Sequence, residues 1–357
     1  MQPTALGNVV RWELEQMTHP QRVAPRSCRA VLCAVVLCIG TVHALAPQQA
    51  PRFASEIARL SEPEGSFDTD NLISNEREYL SVIAPLVAGE VSGGTYLGVG
   101  PDQNFSYIAR IRPTRAYIID IRRDNLLLHL LFKALFALST TRVEYLSHLT
   151  GRVPPADAAM WTETSIDQIV GYVAERKSDE GNGLRPRLDA AIAAFGVPLS
   201  DADFHTLERF HHTFIREGLG LRFRSFGRAP QPYYPTLRDL LVATDASGHT
   251  WNYLASEGDF QFLKSLQAHD AIVPVVGDVA GTHAMSLIAE DVARRGDRVS
   301  AFYVSNVETY LFRRNQWPQF LENVKRLPQD SRSVKIRSIF STAGASTSVV
   351  EPLNGPR

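Results

Sequence analysis

The chain has 357 residues, 44% of them hydrophobic and 21% charged, enough for one large α/β domain with an insertion or for two modest domains. A formal charge of −1 gives no long-range field for steering onto nucleic acid, and no Lys/Arg block interleaves with aromatic residues. Nucleic acid is therefore not expected as a partner, and with all three cysteines at Cys28, Cys33 and Cys38, no disulfide or thiolate metal site is expected later in the chain.

Arg22, Arg26 and Arg29 precede an apolar run over 30–46 that closes on Val42-His43-Ala44. This is the basic region, apolar region and small-residue cleavage site of a secretory signal peptide. Residues 1–16 carry Glu13 and Glu15, and a start at Met17 leaves a signal of ordinary length. The expectation is an exported protein, periplasmic or secreted, beginning near Leu45, with no stable membrane association once the leader is removed. The alternative is a cytoplasmic protein, or one anchored by an uncleaved leader. Residues 47–66 then read as a linker with a short amphipathic helix over 55–60.

Asp, Asn, Ser and Thr crowd residues 67–76, as in turns and helix caps. Ser74 or Asn75 is placed to cap a helix over 76–87, whose Tyr79, Leu80, Ile83 and Leu86 share one face. Next come an apolar strand over 95–99, the turn Gly98-Val99-Gly100, a helix over 104–110 and a strand over 116–121 that carries Asp120. Asp120 lies about twenty residues beyond the glycines, the spacing at which a parallel βαβ unit offers a carboxylate to the ribose hydroxyls of a nucleotide. Gly98 and Gly100 would let the backbone approach such a ligand closely. The plainer alternative is a tight strand-to-helix turn, with Asp120 capping the next helix.

That next helix is apolar nearly all round, from Leu126 to Phe136, which requires burial. Asn125, His129 and Lys133 form its one polar stripe, readable as a solvent edge or as the lining of a cavity. From about 150 to 232, Pro154-Pro155, Gly181-Asn182-Gly183 and Gly218-Leu219-Gly220 separate helical pieces of an insertion over the sheet. One of these starts at a capping-box-like Ser200-x-x-Asp203. His211-His212 falls on a surface helix of this insertion with no carboxylate at ligand spacing, so no metal is expected. Strand and helix alternation then returns: a helix over 260–267, a strand over 271–276 whose Pro274 calls for an edge or a bulge, a helix over 283–295 and a strand over 299–304. Ser305-x-x-Glu308 reads as a capping box, a last strand is expected over 334–340, and the Ser/Thr/Gly/Pro-rich end from 341 reads as disordered.

No phosphate loop, Gly-x-Ser-x-Gly elbow or His-Glu-x-x-His is present. In a parallel sheet, ligands sit beyond the carboxyl ends of the strands. Those ends are rich here in polar residues, namely 98–104, 120–123, Gly277-Asp278 and Ser305-Asn306. The stretches FDTDNLISNEREYL, GGTYLGVGPDQNFSYIA, IIDIRRDNLLLHLLFKALF, IVPVVGDVAG and AFYVSNVETYLF resemble a bacterial protein family with a class I methyltransferase-like, Rossmann-type fold. The resemblance implies an α/β fold with a mostly parallel sheet over about 67–340, helices on both faces and the helical insertion. It also implies an S-adenosylmethionine loop at Gly98-Val99-Gly100 and a ribose acid at Asp120, with Tyr96-Leu97 and Asp102 replacing the acid and the third glycine usual in such a loop. Asp102, Asn104, Arg122, Asp278 and Asn306 are the further candidates for the reacting end. The implied function is methyl transfer from S-adenosylmethionine to an acceptor the sequence does not define, in a pocket that takes a small-molecule ligand. The alternative is an exported, non-catalytic ligand-binding protein that keeps the fold.

Overall fold

The computed structural model describes residues 52–178, 183–229, 231–340 and 346–355. The expected signal peptide lies outside the described residues. Six strands form one sheet: β1 (Thr95–Gly98), β2 (Arg115–Asp120), β3 (Ile272–Val276), β4 (Val299–Ser305), β5 (Val334–Phe340) and β6 (Ser346–Pro352). Their order is β3-β2-β1-β4-β5-β6, parallel throughout except for β6, which runs antiparallel to β5. The chain steps outward from β1 to β3 and then returns to place β4 on the other side of β1. The fold is thus Rossmann-like, with its topological switch point between β1 and β4.

The helices are α1 (Arg52–Leu60), α2 (Ile83–Ala88), α3 (Gln103–Ile111), α4 (Arg123–Leu138), α5 (Arg142–Leu149), α6 (Ile166–Glu175), α7 (Leu184–Ala194), α8 (Asp201–Glu217), α9 (Leu237–Leu241), α10 (Glu257–Ala268), α11 (Ala284–Arg294), α12 (Val307–Arg313) and α13 (Trp317–Arg326). β1 and β3 are buried at every position, so they read as unbroken apolar runs rather than alternating ones. Pro274 sits on edge strand β3 without a register shift, its missing N–H costing no ladder bond to an outer neighbour. Helix α4 packs on β2 and β3 from one side and meets α7 and α8 from the other. The insertion therefore buries a helix that would otherwise face water.

Five sequence expectations are corrected. The helix expected over 76–87 starts later, as a 3₁₀ turn at Tyr79–Val82 that runs into α2, because Ser74 Oγ accepts the Glu76 N–H in a turn rather than capping a helix. The stripe Asn125, His129 and Lys133 is not a solvent edge. All three are buried, and Lys133 reaches Asp270 at 2.7 Å and the Gln267 carbonyl between the rings of Phe53 and Phe195. His211 is likewise buried, its Nε2 3.0 Å from the His148 carbonyl. Ser305 and Glu308 form no capping box: Glu308 pairs with Lys335 and Arg337 instead. Finally, 346–352 is strand rather than disordered tail, paired residue for residue with β5 and tied to it by Arg337–Glu351 at 2.7 Å.

Candidate functional site

The carboxyl ends of β1, β2, β3 and β4 enclose a cavity of about 160 Å³ beside the switch point. Val99 and Gly100 follow β1, Asp120 and Arg122 come from the end of β2, Gly277 and Asp278 follow β3, and Tyr303, Ser305 and Asn306 end β4. The segment from Phe67 to Glu76 closes one side, and Arg314 and Gln316, beyond α12, close another.

Gly100 has φ +80, in the region that favours glycine, and an added Cβ would lie 3.2 Å from Asn71 Nδ2. Its carbonyl accepts from His129 Nε2 at 2.9 Å. Burial holds His129 down at about 4, so the ring is neutral. Asn104 latches the same turn from behind. Its amide donates to the carbonyls of Val99 (2.9 Å) and Pro101 (2.7 Å), and its oxygen accepts from Tyr96 at 2.9 Å. A Cβ on Gly98 would stand 1.8 Å from that oxygen. Gly98 is therefore glycine to make room for the latch, and neither Gly98 nor Asn104 lines the cavity. This corrects their reading as ligand contacts.

Asp102 is also turned away from the cavity. Its buried carboxyl accepts from Tyr253 at 3.0 Å beside a separate space of about 10 Å³. Burial pushes it up to about 6. Asp120 does line the cavity, but Arg122 grips it. Oδ1 accepts from the Arg122 backbone N–H (2.9 Å) and Nε (3.1 Å), and Oδ2 accepts from Nη2 (3.0 Å). A carboxylate offers about four acceptor positions, so one remains on Oδ2. Arg122 Nη1 donates to the carbonyls of Thr69 and Asp70, which makes it a strut for the 67–76 segment. Asp278 accepts from the Ala280 N–H at 2.8 Å and Gln316 Nε2 at 3.2 Å. Among the described residues the Asn306 side chain makes no capping bond, and its Oδ1 accepts from Ser305 Oγ at 3.4 Å.

Sequence reasoning missed one residue of the cavity wall, Glu76. It is fully buried, and its oxygens accept from Tyr303 Oη at 2.8 Å, Ser305 Oγ at 2.6 Å and Gln103 Nε2 at 2.7 Å. All three donors are neutral, and among the described residues no cation pairs with it. Ser305, which reaches Glu76, has φ +51, an uncommon conformation for a residue with a Cβ. The only trace of Glu76 in the sequence is its place in a segment crowded with capping residues.

Fold and cavity together define a Rossmann-like α/β protein with a ligand-sized pocket at its switch point. The chain belongs to the family described as "Domain of unknown function (DUF7790)", whose match covers residues 72–168 and 210–352, more than half its length. No curated protein matches the chain.

Proposed function

We propose that the cavity binds S-adenosylmethionine or a close relative and that the protein transfers its methyl group to a small-molecule acceptor. The observation that carries this reading is Glu76, a fully buried carboxylate at the cavity wall held only by neutral donors. A buried anion without a counter-charge is costly, so the site gains most from a ligand that brings a cation. The cofactor supplies an electrophilic methyl on a positively charged sulfur. Gly100 lets the backbone approach the ligand, the spare position on Asp120 Oδ2 accepts a ribose hydroxyl, and Glu76 faces the positive charge. Tyr96-Leu97 stand where the resemblance expects an acid, and Glu76 brings a carboxylate to this end of the sheet from another element.

The second reading, an exported ligand-binding protein without catalysis, is favoured by how fully the cavity's acids are engaged. Both oxygens of Glu76, and both of Asp278, already accept hydrogen bonds, so neither is idle as a proton acceptor. Calorimetric titration of the full chain with S-adenosylmethionine and S-adenosylhomocysteine tests the shared premise. No heat from either ligand with folded protein overturns it. Intact mass of protein made in a bacterium tests export, since a retained leader leaves the mass several kilodaltons above a chain starting near Leu45.

A further inference from the structure

A second lobe of about 250 Å³ lies against the cavity, with Thr69, Asn75, Phe223, Asn306 and Tyr310 lining both. Its chemistry differs from that of the first. Phe223, Tyr233 and Tyr234 hold one another edge-on, with centroids 5.2 and 4.8 Å apart, and Phe67 fixes Tyr310 in the same manner at 4.7 Å. The rings are thus set before any ligand arrives. A cavity of about 150 Å³ suffices for benzene, so this lobe is of the size for one substituted ring.

Its charge is positive. Arg228 and Arg313 both line it, and Arg314 stands at the edge of the first cavity next door. Among the described residues Arg313 and Arg314 make no ion pair. Among the described residues the Arg228 guanidinium pairs with Asp68 alone, at 3.7 Å, with the two side chains 70% and 59% exposed. A pair so exposed and so long is weak, and its guanidinium remains available to a ligand. Guanidinium groups beside aromatic rings select a planar body that carries a carboxylate or phosphate.

We propose that this lobe binds an aromatic organic anion, its ring among Tyr234, Phe223 and Tyr310 and its charge between Arg228 and Arg313. Only the anion's role as methyl acceptor rests on the function proposed above. Binding itself does not.

The test uses the full chain at low salt, with benzoate, 4-hydroxybenzoate and phenyl phosphate as probes. Benzamide, benzyl alcohol and inorganic phosphate are the controls, and S-adenosylhomocysteine is titrated separately. At least one aromatic acid should bind about tenfold or more tightly than its neutral counterpart and than inorganic phosphate. Arg313→Gln and Arg228→Gln should each weaken it by about tenfold, and Asp68→Asn, which removes the competing carboxylate, should tighten it. Equal binding of acids and neutral rings, binding of inorganic phosphate as tight as phenyl phosphate, indifference to both arginine changes, or no probe bound by folded protein overturns the proposal. Nucleoside bound without any aromatic acid sinks the lobe and leaves the cavity assignment standing. Acid bound without nucleoside does the reverse.

Discussion

Glu76 gives the sharpest test at the scale of single residues, because replacing it by Gln removes a charge and almost nothing else. The Gln oxygen can still accept from Tyr303 and Ser305, while Gln103 turns its amide to meet the new NH₂ and gives up its bond to the Tyr107 hydroxyl. Glu76→Gln should weaken S-adenosylmethionine by about ten- to a hundred-fold, the worth of a hydrogen bond or contact to a charged group. Calorimetry showing unchanged affinity would sink the charge argument. Asp120→Asn should cost a similar factor, and Asn is preferable to Ala because it can keep an acceptor for Arg122 and so preserve the strut to Thr69 and Asp70. The two glycines should behave differently. Gly100→Ala places a Cβ at φ +80 on the cavity wall, so it should cost about 1–3 kcal/mol and also weaken ligand binding. Gly98→Ala should cost stability by pushing into the Asn104 latch, yet leave affinity per folded molecule intact. The glycine turn and Asp120 were legible because the spacing of a βαβ unit fixes them. Gly98, Asp102 and Asn104 were misread because neighbours in sequence around a turn need not face the same way. Glu76 was invisible because a carboxylate becomes notable only once tertiary structure removes both water and counter-ion.

Elements were legible where their signals are local. Ser200 caps α8 as its spacing predicts, with Asp203 N–H donating to Ser200 Oγ at 3.2 Å and Ser200 N–H returning to the carboxylate at 2.8 Å. What spacing could not show is that Arg123, at the start of α4, grips the same carboxylate through Nε (2.8 Å) and Nη2 (2.9 Å). One acid thereby starts a helix and fastens the insertion to the core. Asp203→Ala should cost about 2 kcal/mol, roughly 1 for the cap and up to 1 for the pair. A double-mutant cycle with Arg123→Ala should recover only the second share, and a zero coupling energy means the pair is ornamental. The Arg123 guanidinium holds Asp203 down at about 2, so its stabilising effect is present above about pH 4 and lost as pH falls through 2. β6 shows where local signals end. Ser346, Thr347 and Ser348 look like tail, but every residue of 346–352 pairs with one of β5. That register belongs to two segments jointly and cannot be read from either one alone.

Across the whole molecule, buried ionisable groups set a pH profile in which opposing signs must be weighed. Burial depresses His129 and His211 to about 4, so each stabilises the fold above about pH 6.5 and loses that contribution as pH falls toward 4. Asp102 runs the other way. Its carboxyl is raised to about 6, so its contribution is fully present below about pH 3.8 and lost as pH rises through 6. At about 1.36 kcal/mol per unit, each of these three is worth up to roughly 3 kcal/mol; burial also lowers His148 and raises Asp70, and three histidines against two aspartates leave the fold weaker in acid. Asp102→Asn separates the terms, because the Tyr253 hydroxyl can still donate to the Asn oxygen while the buried charge is gone. The variant should be more stable than the parent at pH 7.5, by up to about 3 kcal/mol, with the advantage shrinking to nothing near pH 4. Urea midpoints of both proteins at four pH values across that window decide it. A pH-independent difference means Asp102 does not titrate on unfolding. An advantage that instead grows in acid means its proton is bound the opposite way from what burial dictates. Asp102 lies outside the cavity, so ligand affinity per folded molecule should not follow this curve. Glu76 stands at the cavity wall, where a ligand can reach it, whereas the Asp102 carboxyl faces the Tyr253 hydroxyl away from the cavity.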